Sequence, residues 1–288
     1  MKHRYSLAHL SALMLSPPQL VEAAARAGYE YVGLRVNRVT PDEPLYSLAD
    51  DSRLMRETKS RLSDTGVQVL DIELARLGVG DKADDLSPLL DVAAELGAHD
   101  ILAQLSDADR VHAMEQFAQL CDLAKPLGIS ANLEFPSWTE TPNLASAAAI
   151  LRQVDRPNAA ILVDTLHFRR SGSSLDELAK MPRRWFRYAQ LCDAPATAPA
   201  TRDGLIHEAR CERLFPGEGG LDMAQILAHM PPDIPYALEI PRLSLARVLG
   251  DAEYVRLALD ATRRYVDGGF AAVSSPPVGH TFTGQLGP

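Results

Sequence analysis

The chain has 288 residues, 46% hydrophobic and 23% charged, a balance typical of a soluble protein that folds as one large domain or two small ones. Its formal net charge of -9 argues against a general nucleic-acid binder, which presents a basic face, but is compatible with a small anionic substrate held by a few arginines. The three cysteines have no CxxC spacing, which argues against a disulfide framework and a structural zinc site.

The first residues run directly into a strand-like segment and contain no hydrophobic region of a signal peptide. No apolar run in the sequence approaches the roughly 20 residues that a membrane-spanning helix needs. We therefore expect a cytoplasmic protein with no membrane partner and no nucleic-acid partner.

One unit recurs in the first half of the chain: an Ala- and Leu-rich amphipathic helix, a glycine and a short apolar run. The helices and the runs that follow them lie at 19–28 and 31–35, 53–64 and 67–73, 89–96 and 100–104, and 114–127 and 129–134. A glycine after each helix suits the left-handed C′ position. Repetition of helix, glycine and strand indicates βαβ units and a parallel sheet.

The remaining elements follow the same scheme. We predict helices at 145–153, 174–180, 223–229 and 251–266, and strands at 5–9, 159–164, 187–192 and 236–240. About eight strand–helix units result, the number in an α/β protein with a (β/α)8 TIM barrel. An open doubly wound sheet is the competing fold, but no glycine-rich phosphate loop follows the first strand.

The sequence shows no interior linker, so we expect a single barrel domain at 1–269. Residues 270–288 are rich in Gly, Pro, Ser and Thr without periodicity, which predicts a flexible C-terminal tail. The longest insertion, 194–220, follows the seventh predicted strand and would overhang the C-terminal rim of the barrel.

A polar residue lies at the end of each of the fifth to eighth predicted strands. These residues are Glu134, Asp164, Gln190 and Glu239. The C-terminal ends of barrel strands share one rim, and unpaired buried carboxylates are costly, so the set needs a common partner. Its oxygen donors favour one divalent ion, Mn²⁺ or Mg²⁺ first and Co²⁺ or Zn²⁺ as alternatives. The competing interpretation is that each acid separately caps a helix or pairs with an arginine.

Five short motifs make the chain resemble the xylose-isomerase-like TIM-barrel superfamily of sugar isomerases and epimerases, over about residues 4–269. The motifs are NLE at 132–134, VDTLH at 163–167, AQLCD at 189–193, FPGEG at 215–219 and LE at 238–239. Glutamine on the seventh strand resembles the hydroxypyruvate isomerase branch. Dehydratases of the same scaffold, acting on inosose or 3-dehydroshikimate, are also similar in pattern.

The resemblance implies that Glu134, Asp164, Gln190 and Glu239 bind the metal. It also implies that Glu134 and Glu239 are the catalytic pair, one removing the proton α to the carbonyl and the other returning it, while the metal stabilises the enediolate.

Several further residues are predicted to contact the substrate. The resemblance places His167 near the metal and Glu218 in a substrate-facing loop, and Trp138 follows Glu134 closely enough to wall the pocket. Asp193 is expected to orient Gln190 or a neighbouring ligand, a supporting role that metal sites need.

Arginines bear on the substrate class, because arginine binds carboxylate or phosphate with two hydrogen bonds. Arg35, Arg76 and Arg242 each follow a strand-like run, and Arg210 and Arg213 lie in the 194–220 insertion. We select Arg242 and Arg210 as substrate-binding candidates for an anionic substrate. A solvated or salt-bridged arginine is the alternative at each position.

Two residues near the predicted rim have structural alternatives. Glu73 closes the third strand beside Arg76, and the two could pair with each other. His9, at the end of the first strand, is either a substrate contact or a satisfied core histidine.

The preferred interpretation is a metal-dependent isomerase or epimerase of carbohydrate metabolism, acting on a small sugar or hydroxycarbonyl compound. A dehydratase of the same scaffold is the first alternative, since it shares the proton-removal step. A non-catalytic binding barrel is the second. An endonuclease-IV-like repair enzyme is disfavoured because the chain is acidic and lacks that branch's histidines. We expect a homodimer or homotetramer, from the resemblance.

Overall fold

Nine parallel strands form the centre of the computed structural model, which describes residues 3–270. They are β1 (Tyr5–Leu7), β2 (Tyr31–Arg35), β3 (Gln68–Leu77), β4 (Asp100–Leu105), β5 (Ser130–Leu133), β6 (Ala159–Ile161), β7 (Val163–Asp164), β8 (Ala189–Leu191) and β9 (Tyr236–Leu238). Neighbouring strands pair in the order β6-β5-β4-β3-β2-β1-β9-β8-β7.

The two ends of this order are one interrupted strand. Only Leu162 separates β6 from β7, and its backbone N–H still bonds to the Leu133 carbonyl at 3.0 Å. Because β6 pairs with β5 while β7 pairs with β8, this one extended segment closes the ring. The architecture is therefore the predicted (β/α)8 TIM barrel, with its sixth strand split.

Helices surround the barrel. They are α1 (Pro17–Ala27), α2 (Ser52–Thr65), α3 (Ser87–Glu95), α4 (Arg110–Ala124), α5 (Leu144–Val154), α6 (Thr165–Arg170), α7 (Leu175–Leu178), α8 (Arg202–Cys211), α9 (Met223–Leu227), α10 (Leu243–Leu249) and α11 (Asp251–Val266). Short 3-10 turns lie at His9–Ala12, Ala83–Leu86, Lys125–Leu127 and Arg183–Trp185. Within residues 3–270, no helix combines the length and apolar character needed to cross a bilayer.

Most predicted elements are confirmed. Gly28 ends α1 with φ 93° and donates to the Ala24 carbonyl, as expected of a left-handed cap. Strand 5–9 is shorter than predicted, since His9 already starts a 3-10 turn. The 194–220 insertion contains α8, which the sequence pattern did not reveal. The predicted tail lies outside the described residues from 271 onward.

The main core packs between the sheet and the helices, and a smaller apolar layer lies inside the barrel. The inner layer consists of Leu70, Leu74, Leu102, Leu162, Tyr188 and Ala237. Residues two positions apart on a strand share a face. The residues two positions after Leu162, Tyr188 and Ala237 are Asp164, Gln190 and Glu239, so the predicted polar set forms the next layer toward the rim.

Candidate metal centre and active site

Four strand-end residues converge at the C-terminal mouth of the barrel. Glu134 directly follows β5, Asp164 ends β7, Gln190 lies in β8 and Glu239 directly follows β9. All four side chains are buried. In the parallel ladder Asp164 pairs with Gln190, and Gln190 with the residue two positions before Glu239. Strand geometry therefore directs these side chains toward the same mouth of the barrel.

A compact group of potential ligands lies at this mouth. Glu134, Asp164 and His167 each offer one ligand atom, and these atoms lie within 4.8 Å of one another. Asp164 caps α6, its carboxylate accepting from the His167 backbone N–H at 3.0 Å. The His167 Nε2 lies 3.7 Å from Glu134 Oε1. His167, predicted to face the substrate, is thus also placed to be a ligand.

Gln190 supplies an independent indication of a missing partner. Its side chain is fully buried, and within residues 3–270 neither Oε1 nor Nε2 has a hydrogen-bond partner. A buried amide without partners costs about 1–3 kcal/mol, and native proteins rarely keep one without a reason. A hard cation coordinated by Gln190 Oε1 would satisfy the carbonyl end of this amide.

Arg213 is the feature that the strand-end pattern did not predict. Its guanidinium, almost fully buried, bonds to Asp164 Oδ2 at 2.6 Å and to Glu239 Oε2 at 2.7 Å. Further bonds run to the carbonyls of Ala209 at 2.7 Å and Glu239 at 3.0 Å. The alternative of arginine pairing is therefore correct for two of the three carboxylates.

The charges of the site are compatible with a divalent cation. Glu134, Asp164 and Glu239 carry three negative charges when ionised, and Arg213 supplies one positive charge, leaving a net charge of -2. Arg213 donates to Oδ2 of Asp164 and pairs with Oε2 of Glu239. The residues present thus fit a divalent ion held by oxygen donors and a histidine nitrogen.

Burial and mutual repulsion perturb the carboxyl groups. Burial, then the charges of Glu239 and Asp164, raise the pKa of Glu134 well above its usual range. Burial also raises the pKa of Glu239 to about 7, although Arg213 opposes the shift. For Asp164, burial alone would raise the pKa, but Arg213 and then His167 more than offset it, so the pKa lies below its usual value.

Burial favours the neutral form of the His167 imidazole. Burial lowers its pKa to about 4, and its ring packs edge-on against Trp138 with centroids 5.1 Å apart. Its Nδ1 is buried without a hydrogen-bond partner inside the described chain. A neutral imidazole is the form that binds metals.

Gln104, at the end of the fourth predicted strand, also belongs to the site. Its Nε2 donates to Glu134 Oε2 at 2.5 Å, and its Oε1 accepts from Arg76 at 3.3 Å. The signal was available, because Gln104 closes the apolar run 100–104 in the way Glu134 closes the next one. The predicted polar set began only at the fifth strand and therefore did not include Gln104.

The other predicted site residues divide into two groups. Trp138 and Arg210 line the cleft above Glu134. Glu218 and Arg242 instead bond to each other at 2.8 Å, with Arg242 over the Phe215 ring, and neither lines that cleft.

Asp193 organises a loop. Its carboxylate accepts hydrogen bonds from the backbone N–H groups of Ala194, Gly217, Gly219 and Leu221 at 2.9–3.1 Å. No hydrogen bond joins it to Gln190 within residues 3–270. Asp193 was predicted to orient Gln190 or a neighbouring ligand. Its observed contacts instead hold the FPGEG segment against β8.

Two structural alternatives were also resolved. Glu73 pairs with Arg35 at 3.0 Å rather than with Arg76. His9 is a satisfied core histidine, since Nδ1 accepts from the Arg35 backbone N–H and Nε2 contacts the Leu15 carbonyl at 2.8 Å.

Comparison with known proteins identifies the relatives of this chain. The family model described as xylose isomerase-like TIM barrel matches residues 21–265. An inosose isomerase of Bacillus licheniformis is 29% identical over 163 residues, 56% of this chain and 54% of that protein. A 3-dehydroshikimate dehydratase of Pseudomonas aeruginosa is 25% identical over 224 residues, 73% of this chain but 33% of that protein.

The chain therefore aligns with about half of the first relative and a third of the second. Among solved structures, the IolI protein with a bound zinc atom superposes with a TM-score of 0.76 at 19% identity, covering 93% of this chain and 99% of that one. This likeness establishes the fold. The names of the two curated relatives are those of enzymes, which supports an enzyme of the same family.

Proposed function

Because the chain belongs to the xylose isomerase-like TIM-barrel family, we propose that it is a divalent-metal-dependent isomerase or epimerase of a small sugar or hydroxycarbonyl compound. The observation that carries the proposal is the buried group of Glu134, Asp164 and His167 beside an unpartnered Gln190. Arg213 offsets one of the three negative charges of the site, so the remaining two are stable in a buried position only with a further cation or with protons.

The metal would be held by Glu134, Asp164 and His167, with Gln190 and Glu239 completing the predicted set. When bound, it polarises the substrate carbonyl and so acidifies the adjacent C–H. Mn²⁺ or Mg²⁺ suits the oxygen donors, whereas the His167 nitrogen also admits Co²⁺ or Zn²⁺. The zinc atom bound in the structure of the similar IolI protein supports a divalent ion in this chain as well.

Glu134 and Glu239 carry the proton transfer in this proposal. Gln104 fixes one oxygen of Glu134, and Arg213 fixes one oxygen of Glu239. In each case the other oxygen remains available to accept the proton from the carbon α to the carbonyl or to return it. His167 and Trp138 form the wall that keeps water away from the reacting carbon.

A dehydratase is the second candidate function. It shares the removal of the α proton, and then a hydroxyl leaves as water from the neighbouring carbon. The dehydratase name of one curated relative favours it. Cytoplasmic location and a homodimeric or homotetrameric state remain predictions from the sequence.

Proton exchange in D₂O tests the proposal. Metal-loaded protein is incubated with D-fructose, an inosose, hydroxypyruvate and 3-dehydroshikimate, and α-proton loss is followed by NMR. We expect Mn²⁺-dependent exchange with at least one compound. Glu134→Gln and Glu239→Gln should abolish it, while Glu95→Gln, at an exposed glutamate paired with Lys59, should not.

Mass spectrometry of the products separates the two functions. An isomerase leaves the substrate mass unchanged, apart from deuterium, whereas a dehydratase forms a product lighter by one water molecule. Metal-loaded protein that exchanges no proton with any of these compounds, in repeated preparations, would count against both functions and favour the binding barrel.

A further inference from the structure

A second cavity opens directly outside the proposed metal centre. It has a volume of about 220 Å³, and its walls include Arg76, Arg202, Arg210 and Gln104. An inner cavity of about 40 Å³ at Glu134 shares Arg76, Gln104 and Arg210 with it. The two therefore form one cleft, with the candidate catalytic acids at its base and three arginines around its mouth.

The arginines at the mouth differ from the others at the rim. Arg35, Arg170, Arg213 and Arg242 each pair with a carboxylate. In the described chain, Arg210 makes no hydrogen bond or ion pair with its side chain, and Arg76 has no carboxylate partner.

Arg76 is also poorly satisfied. Its Nε is buried without a hydrogen-bond partner among residues 3–270, and its two other bonds, to the Val39 carbonyl and Gln104, are long at 3.4 and 3.3 Å. Burial lowers the pKa of Arg76, and so does the nearby charge of Arg210. The charges of Glu43 and Glu134 oppose this effect without forming an ion pair with Arg76 among residues 3–270. Two cations held close together without a paired anion are an arrangement that a bound anion would stabilise.

The acidic side chain on the surrounding wall does not offset the positive charge of the three arginines. Glu140 lines the outer cavity, but within the described residues no ion pair joins it to any of the three arginines. Positive charge is concentrated here in a chain whose formal net charge is -9. The outer cavity is lined by three arginines and one acid, Glu140, and such an excess of positive charge raises the local concentration of anionic ligands.

We propose that Arg76 and Arg210 form a subsite for an anionic oxygen group, a carboxylate or a phosphate, at one end of the substrate. This inference rests on the proposed function and specifies its substrate class. Gln104 bonds to both Arg76 and Glu134, so it spaces the anionic end from the reacting carbons. Arg202 lies at the outer edge of the same wall.

Three three-carbon probes test the subsite: D-glycerate, glycerol 3-phosphate and glycerol, which differ in the terminal group. Calorimetric titration is carried out on the full-length chain with and without Mn²⁺. We expect at least one charged probe to bind at least tenfold more tightly than glycerol. Arg76→Met and Arg210→Met should each weaken that probe about tenfold or more while glycerol changes little.

Two further variants sharpen the test. Arg210→Lys keeps the charge but not the two-donor geometry, so it should bind the charged probe more tightly than Arg210→Met and more weakly than wild type. Arg264→Met removes an exposed arginine from the last turn of α11, which is remote from the cleft, and should leave binding unchanged. Preference for glycerate identifies a carboxylate subsite, and preference for glycerol 3-phosphate identifies a phosphate subsite.

Equal binding of all three probes by wild type, or loss of binding in Arg264→Met as large as in Arg210→Met, would overturn the subsite. So would a wild type that binds none of them. These results leave the proposed function standing if Mn²⁺-dependent exchange occurs with an uncharged substrate. Conversely, anion binding without any proton exchange would retain the subsite and refute the function.

Discussion

Replacing Arg213 by methionine separates two roles that an arginine among metal ligands could have. In the structure, Arg213 pairs with both Asp164 and Glu239, at 2.6 and 2.7 Å. Without metal, the variant leaves both carboxylates buried and unpaired, which costs on the order of 3–5 kcal/mol for a broken buried ion pair. At about 2–4 °C per kcal/mol, the melting temperature should fall by roughly 6–20 °C.

The same substitution should strengthen metal binding. It changes the formal charge of the site from -2 to -3, and it frees one oxygen on each of two carboxylates. We expect Mn²⁺ to bind about tenfold or more tightly, so that the rise in melting temperature on adding Mn²⁺ is larger than in wild type. Thermal shift and calorimetric titration measure the two effects separately. Arg213→Lys, which keeps the charge, should be intermediate in both.

Arg170 provides a matched control. It is a similarly buried arginine, bonded to Glu208 at 2.8 Å and away from the cleft. Arg170→Met should lower the melting temperature without changing the increment that Mn²⁺ produces. A smaller Mn²⁺ increment in Arg213→Met than in wild type would refute the reasoning, because it would mean that Arg213 orients the ligands rather than competing with the cation.

Three other perturbations are predicted to have measurable effects. Burial raises the pKa of Asp71 well above its usual range, so the folded state binds this proton more tightly than the unfolded state. The free energy of unfolding therefore falls as pH rises above about 4. Asp71→Asn should make urea unfolding less pH-dependent, with the stability of the variant relative to wild type increasing from pH 5 to pH 8. Gln104→Met removes the 2.5 Å bond to Glu134 and should reduce proton exchange roughly 10–100-fold with little change in melting temperature. Gly219→Ala places a Cβ 2.2 Å from the Ala194 carbonyl oxygen and should destabilise the fold by about 1–3 kcal/mol in urea unfolding.

Each of these three predictions has an outcome that would contradict it. Parallel pH profiles for wild type and Asp71→Asn would mean that Asp71 is not the source of the dependence. Gln119→Met removes a half-buried amide that is bonded to Asp84. If Gln119→Met lost as much proton exchange as Gln104→Met, the role assigned to Gln104 would be wrong. Unchanged stability of Gly219→Ala would show that the FPGEG segment can move away from β8.

Much of the fold was predictable because local signals agree with one another. Helix, glycine and strand recur, and α11 begins and ends at the predicted residues, Asp251 and Val266. Strand-end polarity located Glu134, Asp164, Gln190 and Glu239, since a parallel barrel places such ends on one rim.

What remained hidden depends on contacts between distant parts of the chain. Helix α8 lies inside the 194–220 insertion, whose residues were assigned to a loop. Arg213 enters the site because antiparallel bridges from Asp193 to Leu214 and from Glu212 to Arg242 hold its backbone across the rim. The spacing of residues in the sequence does not predict these bridges. It also does not predict that Glu73 pairs with Arg35 instead of Arg76.

Calorimetric titration of Mn²⁺ into the metal-free chain tests the central claim most directly, with Glu134→Gln, His167→Phe and Glu239→Gln alongside. We predict one divalent site in wild type and at least tenfold weaker binding in Glu134→Gln and His167→Phe, whose ligand atoms lie within the 4.8 Å group. Glu239→Gln should weaken binding as well. A wild type that binds none of Mn²⁺, Mg²⁺, Co²⁺ or Zn²⁺ would contradict the account, and the acids would then be a protonated and Arg213-paired network around a binding pocket.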